Sequence, residues 1–438
     1  MIRSDNQQKW LKPMTKLTKL TSLILLTLIL SGPANAIDFS VPKSVYQLPS
    51  RTPNSQVRLS ETAYRQLQPI QKKISAEQYD EAFIALNQLV KRHHENPYVV
   101  SVAMKSAAYI YIAQQDYTKA IKWMQQVLKL SAMHPQELQT IRHDLSQLQL
   151  QAGQYKNAIN TMQHWLKEAK PSQISAADYQ LLAISQFQLK HYKKSKQAAQ
   201  QGLKKTHPLV EPFYQLILAC DFALNNYASA DKTLTILIKL NPSHKHYWIQ
   251  WAGVLDLQEK PNKALGIFEL MDKRKMLNNE HERIQFVQRL IQQGNAFKAA
   301  NRLSEYIKKK EVSNSTENQL LLALAWEHSG ENDKAIKVLK NIISTHKNNE
   351  ATTRLAQIYV ADQQWQALIN LLEQQLDAQV TTENGPLYLQ WGYAYYQLKL
   401  LNKAEQIFRV LENSKQSSKT TQQSAKQWLK YLEGTKTQ

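Results

Sequence analysis

The chain has 438 residues and a formal net charge of +20, from 55 Lys and Arg against 35 Asp and Glu. With only 10 Gly and 14 Pro beside abundant Leu, Ala, Gln and Lys, the composition favours helices over turn-rich β architectures. A single cysteine, Cys220, excludes an intramolecular disulfide and a zinc site of clustered cysteines. Set in the run LILACDFAL, it is expected to be a small buried hydrophobe.

Residues 20–30 read LTSLILLTLIL, with Lys12, Lys16 and Lys19 before them and SGPANA after. A basic start, a short apolar centre and small residues at Ala34 and Ala36 are the layout of a secretory signal, with cleavage expected after Ala36. The apolar run falls short of the about 20 residues of a membrane-spanning helix. Retention as an uncleaved anchor is the alternative, and Met14 would give the signal ordinary proportions if it, rather than Met1, were the start. No cysteine follows the run, which excludes a bacterial lipid anchor, so residues 1–36 imply a bacterial periplasm. They hold five basic residues (Arg3, Lys9, Lys12, Lys16, Lys19) and one acid (Asp5), leaving 50 basic and 34 acidic, or +16. In that compartment nucleic acid drops out, and anionic membrane, cell wall or acidic protein segments become the counterparts. Residues 37–58, with Pro42, Pro49 and Pro53, read as an extended and mobile arm.

A helical pattern begins near Ser60. Within it a turn followed by a small residue recurs, at Ala82, Ala120, Ala158, Ser195, Ala230, Ala264, Ala299, Ala335, Ala367 and Ala404. Successive spacings lie between 32 and 38 residues, the period of stacked helix pairs. Twelve residues upstream lies a second small residue at Ala108, Ser146, Ala183, Ala252, Ala323 and Gly392. Four residues downstream lies an apolar one at Met124, Met162, Leu234, Phe268, Leu303, Leu339 and Phe408. The clearest copy is Leu387–Leu411. Ser195 in place of Ala, the large Leu218 and Val287, and the short step to Ala367 mark places where irregular or kinked junctions are expected. Beyond them, residues 413–438 read as a polar linker and an amphipathic helix whose Ala425, Trp428, Leu429 and Leu432 would cap the last exposed face.

The pattern resembles the tetratricopeptide repeat family. The resemblance implies an all-α superhelical solenoid of about ten helix–turn–helix repeats over residues 59–412, closed by a C-terminal capping helix. In that family the first helices line the concave surface where ligands lie. Mapped onto the anchors, this surface would carry Tyr109, Ile112, His143, Gln147, Gln180, Phe187, Gln215, Phe222, Ile249, Gln288, Tyr359, Tyr393 and Tyr396. The set is rich in aromatics and amides. It lacks a basic cluster to clamp a terminal carboxylate, and suits an extended or helical protein segment.

Little in the sequence points to catalysis: it shows no Gly-rich phosphate loop, nucleophile elbow or HExxH motif, so no enzyme, cofactor or metal is expected. Adjacent His93 and His94 diverge on a helix, His244 and His246 sit in a turn beside Pro242, and His281 opens a helix among acids that suit its dipole. The runs Lys193–Lys194–Lys196, Lys204–Lys205 and Lys308–Lys309–Lys310 read as solvated outer faces.

The stretch HKHYWIQWAGVLDLQEKPNKALGIFELMDKRKML, His244 to Leu277, is similar to periplasmic tetratricopeptide-repeat proteins encoded beside TonB–ExbB–ExbD components in marine gammaproteobacteria. That resemblance implies a scaffold assisting TonB-dependent energy transduction and iron-siderophore uptake. The other reading is a cell-envelope assembly factor that touches peptidoglycan or anionic lipid through its basic outer faces.

Overall fold

The computed structural model describes residues 37–47, 59–206, 210–376 and 379–436. The expected signal segment, its cleavage point and residues 48–58 of the arm lie outside them. Among the described residues there are twenty-one α-helices, one short 3₁₀ helix at Lys43–Gln47 and no strand. No helix among them is long and apolar enough to cross a membrane.

The described residues fall into two compact units, one ending at Gln258 and the other beginning at Glu259. In the first, first helices alternate with second helices: α1 (Glu61–Ser75), α2 (Tyr79–Arg92), α3 (Pro97–Ala113), α4 (Tyr117–Leu130), α5 (Pro135–Gln151) and α6 (Tyr155–Glu168). It continues through α7 (Ala176–Gln188), α8 (Tyr192–Leu203), α9 (Glu211–Ala223), α10 (Tyr227–Leu240) and α11 (Lys245–Leu257). The second unit holds α12 (Pro261–Lys273), α13 (Glu280–Gln292), α14 (Ala296–Lys308), α15 (Thr316–His328), α16 (Asn332–Thr345) and α17 (Asn349–Ala361). It closes with α18 (Trp365–Gln375), α19 (Gly385–Gln397), α20 (Leu401–Glu412) and α21 (Lys419–Lys436). Within each unit a helix packs on its chain neighbours, and several first helices also touch the next first helix.

The turns inside the pairs share one construction. In α3–α4 the Asp116 N–H reaches back to the Tyr111 carbonyl and the Gln115 N–H to the Ile112 carbonyl, with Gln115 left-handed at φ 61°. This is a Schellman ending, in which nested bonds satisfy the last carbonyls of the first helix. A left-handed residue recurs five positions before each second-helix anchor: Glu77, Gln115, Gly153, Lys190, Asn225, Glu259, Gly294, Gly330, Gln363 and Lys399. Only three are glycine. The other seven hold a conformation that costs an L-residue roughly 1–2 kcal/mol, which is how tight turns coexist with so little glycine.

The same marker corrects one anchor. Five residues beyond Gln363 lies Leu368, fully buried as the fourth residue of α18, whereas Ala367 is half-buried. Twelve residues before Leu368 lies the buried Ala356, and four after it the buried Leu372. The step from Ala335 is therefore 33 residues and the next one 36. A leucine at the anchor hid the register. The other nine anchors stand where the spacing puts them, all buried.

The expected kinks are absent from these helices. Ser195 keeps the approach close by donating its hydroxyl to the Ala183 carbonyl at 2.7 Å. Leu218 and Val287 are buried in unbroken helices, with small Ala230 and Ala299 as their partners in the pattern. Gly392 is fixed by packing: a Cβ there would lie 2.5 Å from the Phe408 ring. Cys220 is buried, its Sγ 3.3 Å from the Ser195 hydroxyl, and burial pushes its thiol pKa up, away from reactive thiolate.

The capping helix is present. Ala425, Leu429 and Leu432 are buried, while Trp428 is half-buried and stacks on Phe408 at 5.6 Å with the rings 8° apart. The arm departs from expectation, because residues 37–47 are docked on the first repeats. Phe39 and Val45 are 3 % and 0 % exposed.

The corrected anchor makes a direct test. Leu368→Ala should cost about 2–5 kcal/mol, whereas Ala367→Glu should stay within about 0.5 kcal/mol. Thermal melts of the full chain distinguish them; the reverse order would restore Ala367 as the anchor.

Candidate protein-binding site

The first helices present residues fifteen, eleven and eight positions before each anchor on one face, since these offsets fall close together around a 3.6-residue turn. Twelve of the thirteen residues expected there are half-buried or exposed: Tyr109, Ile112, His143, Gln147, Gln180, Phe187, Gln215, Phe222, Ile249, Gln288, Tyr393 and Tyr396. Tyr359 is not among them, being 2 % exposed in the core. It was located from Ala367, and one residue of slip turns the position about 100° around the helix. Half-buried Val360 occupies the equivalent place.

Several of these residues join one repeat to the next. Tyr109 donates its hydroxyl to Asp144 Oδ2 at 2.7 Å. His143 Nε2 lies 2.6 Å from Asp178 Oδ1, and its Nδ1 lies 3.8 Å from Asp144 Oδ1. The Gln215 amide donates to the Tyr247 hydroxyl at 2.6 Å. Lys105 reaches Glu137 at 3.9 Å. Tyr109, His143 and Gln215 therefore act first as ties along unit 1. Their partners Asp144, Asp178 and Tyr247 were missed in the sequence. The available signal was separation: Tyr109 to Asp144 and His143 to Asp178 are both 35 residues apart, one repeat.

This ladder sets the charge of His143. The neighbouring carboxylates of Asp144 and Asp178 outweigh burial and raise its pKa to about 9, so it is cationic at neutral pH. Burial pulls the Asp144 and Asp178 carboxyls upward, but bonds from His143, Tyr109 and Ser175 hold both below the usual range. Asp178 is almost wholly buried, so it depends on these partners.

Tyr393 and Tyr396 spend much of their surface on the cap. Tyr393 lies 5.4 Å from Trp365 and 5.6 Å from Trp428, and Tyr396 lies 5.2 Å from Trp428 with its hydroxyl 3.1 Å from that of Tyr431. Phe187 meets Tyr192 edge-on at 5.4 Å. Gln147 and Gln288 remain exposed, and Ile112, Phe222 and Ile249 are half-open.

Charge divides sharply between the two kinds of helix. The ten first helices of the pairs carry 9 basic and 12 acidic residues, a net −3. The ten second helices carry 22 basic and 11 acidic, a net +11. Lys193, Lys194, Lys204, Lys205, Lys308, Lys309 and Lys310 are exposed as expected. Lys196 leaves its run, pairing with fully buried Asp221 and with Ser229 at 2.7 Å. Among the described residues no cluster of three or more His, Cys, Asp or Glu side chains could hold a metal ion. His244 stacks on Tyr247 at 4.1 Å, and His93 bonds Gln66 at 2.9 Å.

Sequence profiles of the tetratricopeptide repeat match residues 106–132, across α3–α4, and residues 351–387, across α17–α18 into α19. The chain is a tetratricopeptide-repeat protein. As such it is a protein-interaction scaffold. No curated protein sequence matches it. Among solved structures, a tetratricopeptide repeat protein from Parabacteroides merdae is 14 % identical, spanning 61 % of this chain and 99 % of that one at a TM-score of 0.36. MamA from Desulfovibrio magneticus RS-1 is 18 % identical over 43 % of this chain and 99 % of that one, at 0.34. YrrB, described as having an unusual peptide-binding site, is 13 % identical over 43 % and 91 %, also at 0.34. None of these likenesses bears on what this tetratricopeptide-repeat chain binds.

The His143 ladder has a pH signature. Its folded pKa is raised above the unfolded value of about 6.5, so its contribution is complete below that pH and is lost as pH rises through about 9. Melting temperature should fall over this window in the native chain and fall less in His143→Gln. His143→Ala, which leaves Asp178 Oδ1 without its partner while Ser175 still holds Oδ2, should cost about 1–3 kcal/mol at pH 7. Parallel pH profiles for native chain and H143Q would rule the ladder out as the source.

Proposed function

We propose that this protein is a periplasmic scaffold that holds a segment of another protein along its first helices, and that the segment belongs to the TonB–ExbB–ExbD energy-transduction assembly serving iron-siderophore uptake. The carrying observation is the separation of charge. A chain of net +20 keeps its first helices at −3, with Gln147, Gln288, Ile112, Phe222 and Ile249 open among them. Amides satisfy a partner's backbone, apolar side chains take its anchors, and the slight acidity does not repel Lys-rich segments of the kind TonB carries. The signal-like residues 1–36 support the compartment, and the His244–Leu277 resemblance supports the partner.

A second reading has its own observation, the +11 of the second helices together with exposed lysines on them or just after them, at residues 193, 194, 204, 205 and 308–310. It is an envelope-assembly factor whose basic face meets peptidoglycan or anionic lipid. Such contacts are screened within about 10 Å at 0.1 M salt, whereas a segment bound by amides and apolar anchors is far less salt-sensitive.

Photo-crosslinking residues at positions 147 and 288, and separately at 194 and 309, test the two readings in the native envelope. Capture of TonB, ExbB or ExbD from the first pair, persisting at 0.5 M salt, is the expected result. Capture only from positions 194 and 309, abolished by salt, would replace the first reading by the second. The absence of TonB-system proteins from both would remove the TonB assignment.

A further inference from the structure

We propose that the groove bounded by α2, α3 and α4 is a peptide-binding site, occupied in cis by residues 37–47, whose ligand in trans is an extended segment bearing an acidic residue followed by an aromatic one. This site is separate from the first-helix face. It is built from side chains on three helices of two adjacent repeats.

Recognition has three parts. The Asn87 amide on α2 clamps the backbone: its Nδ2 donates to the Asp38 carbonyl at 3.1 Å and its Oδ1 accepts the Ser40 N–H at 3.0 Å. A two-point backbone contact fixes register without reading side chains, as an added strand does in peptide recognition. Asp38 is read by charge, accepting from the Tyr111 hydroxyl on α3 and from Lys119 Nζ on α4 at 3.2 Å. The Phe39 N–H also donates to the Tyr111 hydroxyl, at 3.0 Å. The Phe39 side chain is read by shape, its ring meeting Trp123 edge-on at 4.8 Å, 67° between planes. Beyond it the chain turns in the 3₁₀ helix and buries Val45, while Pro42, Lys43 and Ser44 stay exposed.

The receptor favours an acid. Helix α4 carries Lys119, Lys122 and Lys129 and no acidic residue; only Asp116, at its N-cap, sits 3.6 Å from Lys119. Lys119 and Lys122 also lie over the Tyr111 and Trp123 rings at 5.2 and 5.5 Å. With the segment lifted away, Trp123 would lose its ring partner and Lys119 its nearer carboxylate. That leaves an aromatic pocket beside cations on the more basic class of helix. The ligand class follows from the occupant: an Asp-Phe pair in non-helical backbone is what these atoms grip.

Cis occupancy works as competition. A tethered segment sits at an effective concentration of order mM, so a free peptide must exceed that to displace it. The test uses the full chain with the segment released, Asp38→Ala/Phe39→Ala, and a fluorescein-labelled synthetic peptide of residues 37–47. Saturable binding to the released variant, at least tenfold weaker to the native chain, is expected, and Lys119→Glu with Trp123→Ala should abolish it. Failure of the released, circular-dichroism-verified helical variant to bind, equal binding by both chains, or binding that survives the receptor changes would each overturn the proposal. A second measurement needs no variant. Excess unlabelled peptide should speed hydrogen exchange at the Phe39 and Ser40 amides of the native chain, and unchanged exchange would contradict a displaceable segment.

Discussion

A close crossing of two helices, kept possible by one small side chain, is the constraint on which the rest of this structure depends. In the pairs Ile70/Ala82, Ala108/Ala120, Ser146/Ala158, Ala183/Ser195, Leu218/Ala230, Val287/Ala299, Ala323/Ala335, Ala356/Leu368 and Gly392/Ala404, at least one member is Ala, Ser or Gly, and every member is buried. Which member is small varies: the large one comes first in Leu218/Ala230 and second in Ala356/Leu368. Once the helices approach, the residue four beyond the anchor, such as Met124, Leu234 or Phe408, reaches the core with no exposure at all. Interiors pack to crystal-like density, so a second large side chain would have to be absorbed by moving a whole helix.

That constraint is periodic, which is why so much of the fold was readable. Anchors, upstream partners and downstream fillers repeat at one spacing, and so do the left-handed turn residues, although Glu, Gln, Lys and Asn disguise most of them. The error at Ala367 has a physical source. Volume compensation lets Leu368 stand where alanine is usual, and a neighbouring alanine then imitates the signal. Counted from Ala367, Tyr359 falls on the binding face, while in the fold it lies in the core. Features without a period were invisible. Docking of residues 37–47 rests on contacts far along the chain, from Ser40–Asn87, 47 positions apart, to Asp38–Lys119, 81 apart, and Phe39–Trp123 beyond that, and a short Pro-containing stretch carries no pattern announcing them.

The candidate face was legible as a position but not as a role. Spacing places Tyr109, His143 and Gln215 on the first-helix face; it does not say that Asp144, Asp178 and Tyr247 already hold them. The same geometry that lines up residues for a ligand lines them up for each other. Along a solenoid, neighbours one repeat apart are the nearest polar groups available, and a buried or half-buried donor is satisfied locally before it can serve a partner. Exposed Gln147 and Gln288 escape this rule, and they lie in different units.

Charge follows from the same logic. First helices are covered by more neighbours and tolerate few unpaired cations, because a desolvated cation needs a carboxylate close by, as Lys105 has in Glu137 and Arg354 in Glu327 and Glu350. Second helices turn more side chain to water and can hold their surplus lysines without partners at little cost. The contrast between −3 and +11 is then partly a by-product of packing and partly a resource, since it leaves one protein with two surfaces of opposite preference. Residues 37–47 sit at the meeting of the two: Asp38 engages Tyr111 of a first helix and Lys119 of a second one, and the hydrogen bond to each is made by the same carboxylate oxygen. An acidic segment is drawn there because the lysine supplies charge while the first helix supplies a buried hydroxyl to orient it, a combination that neither class of helix offers alone.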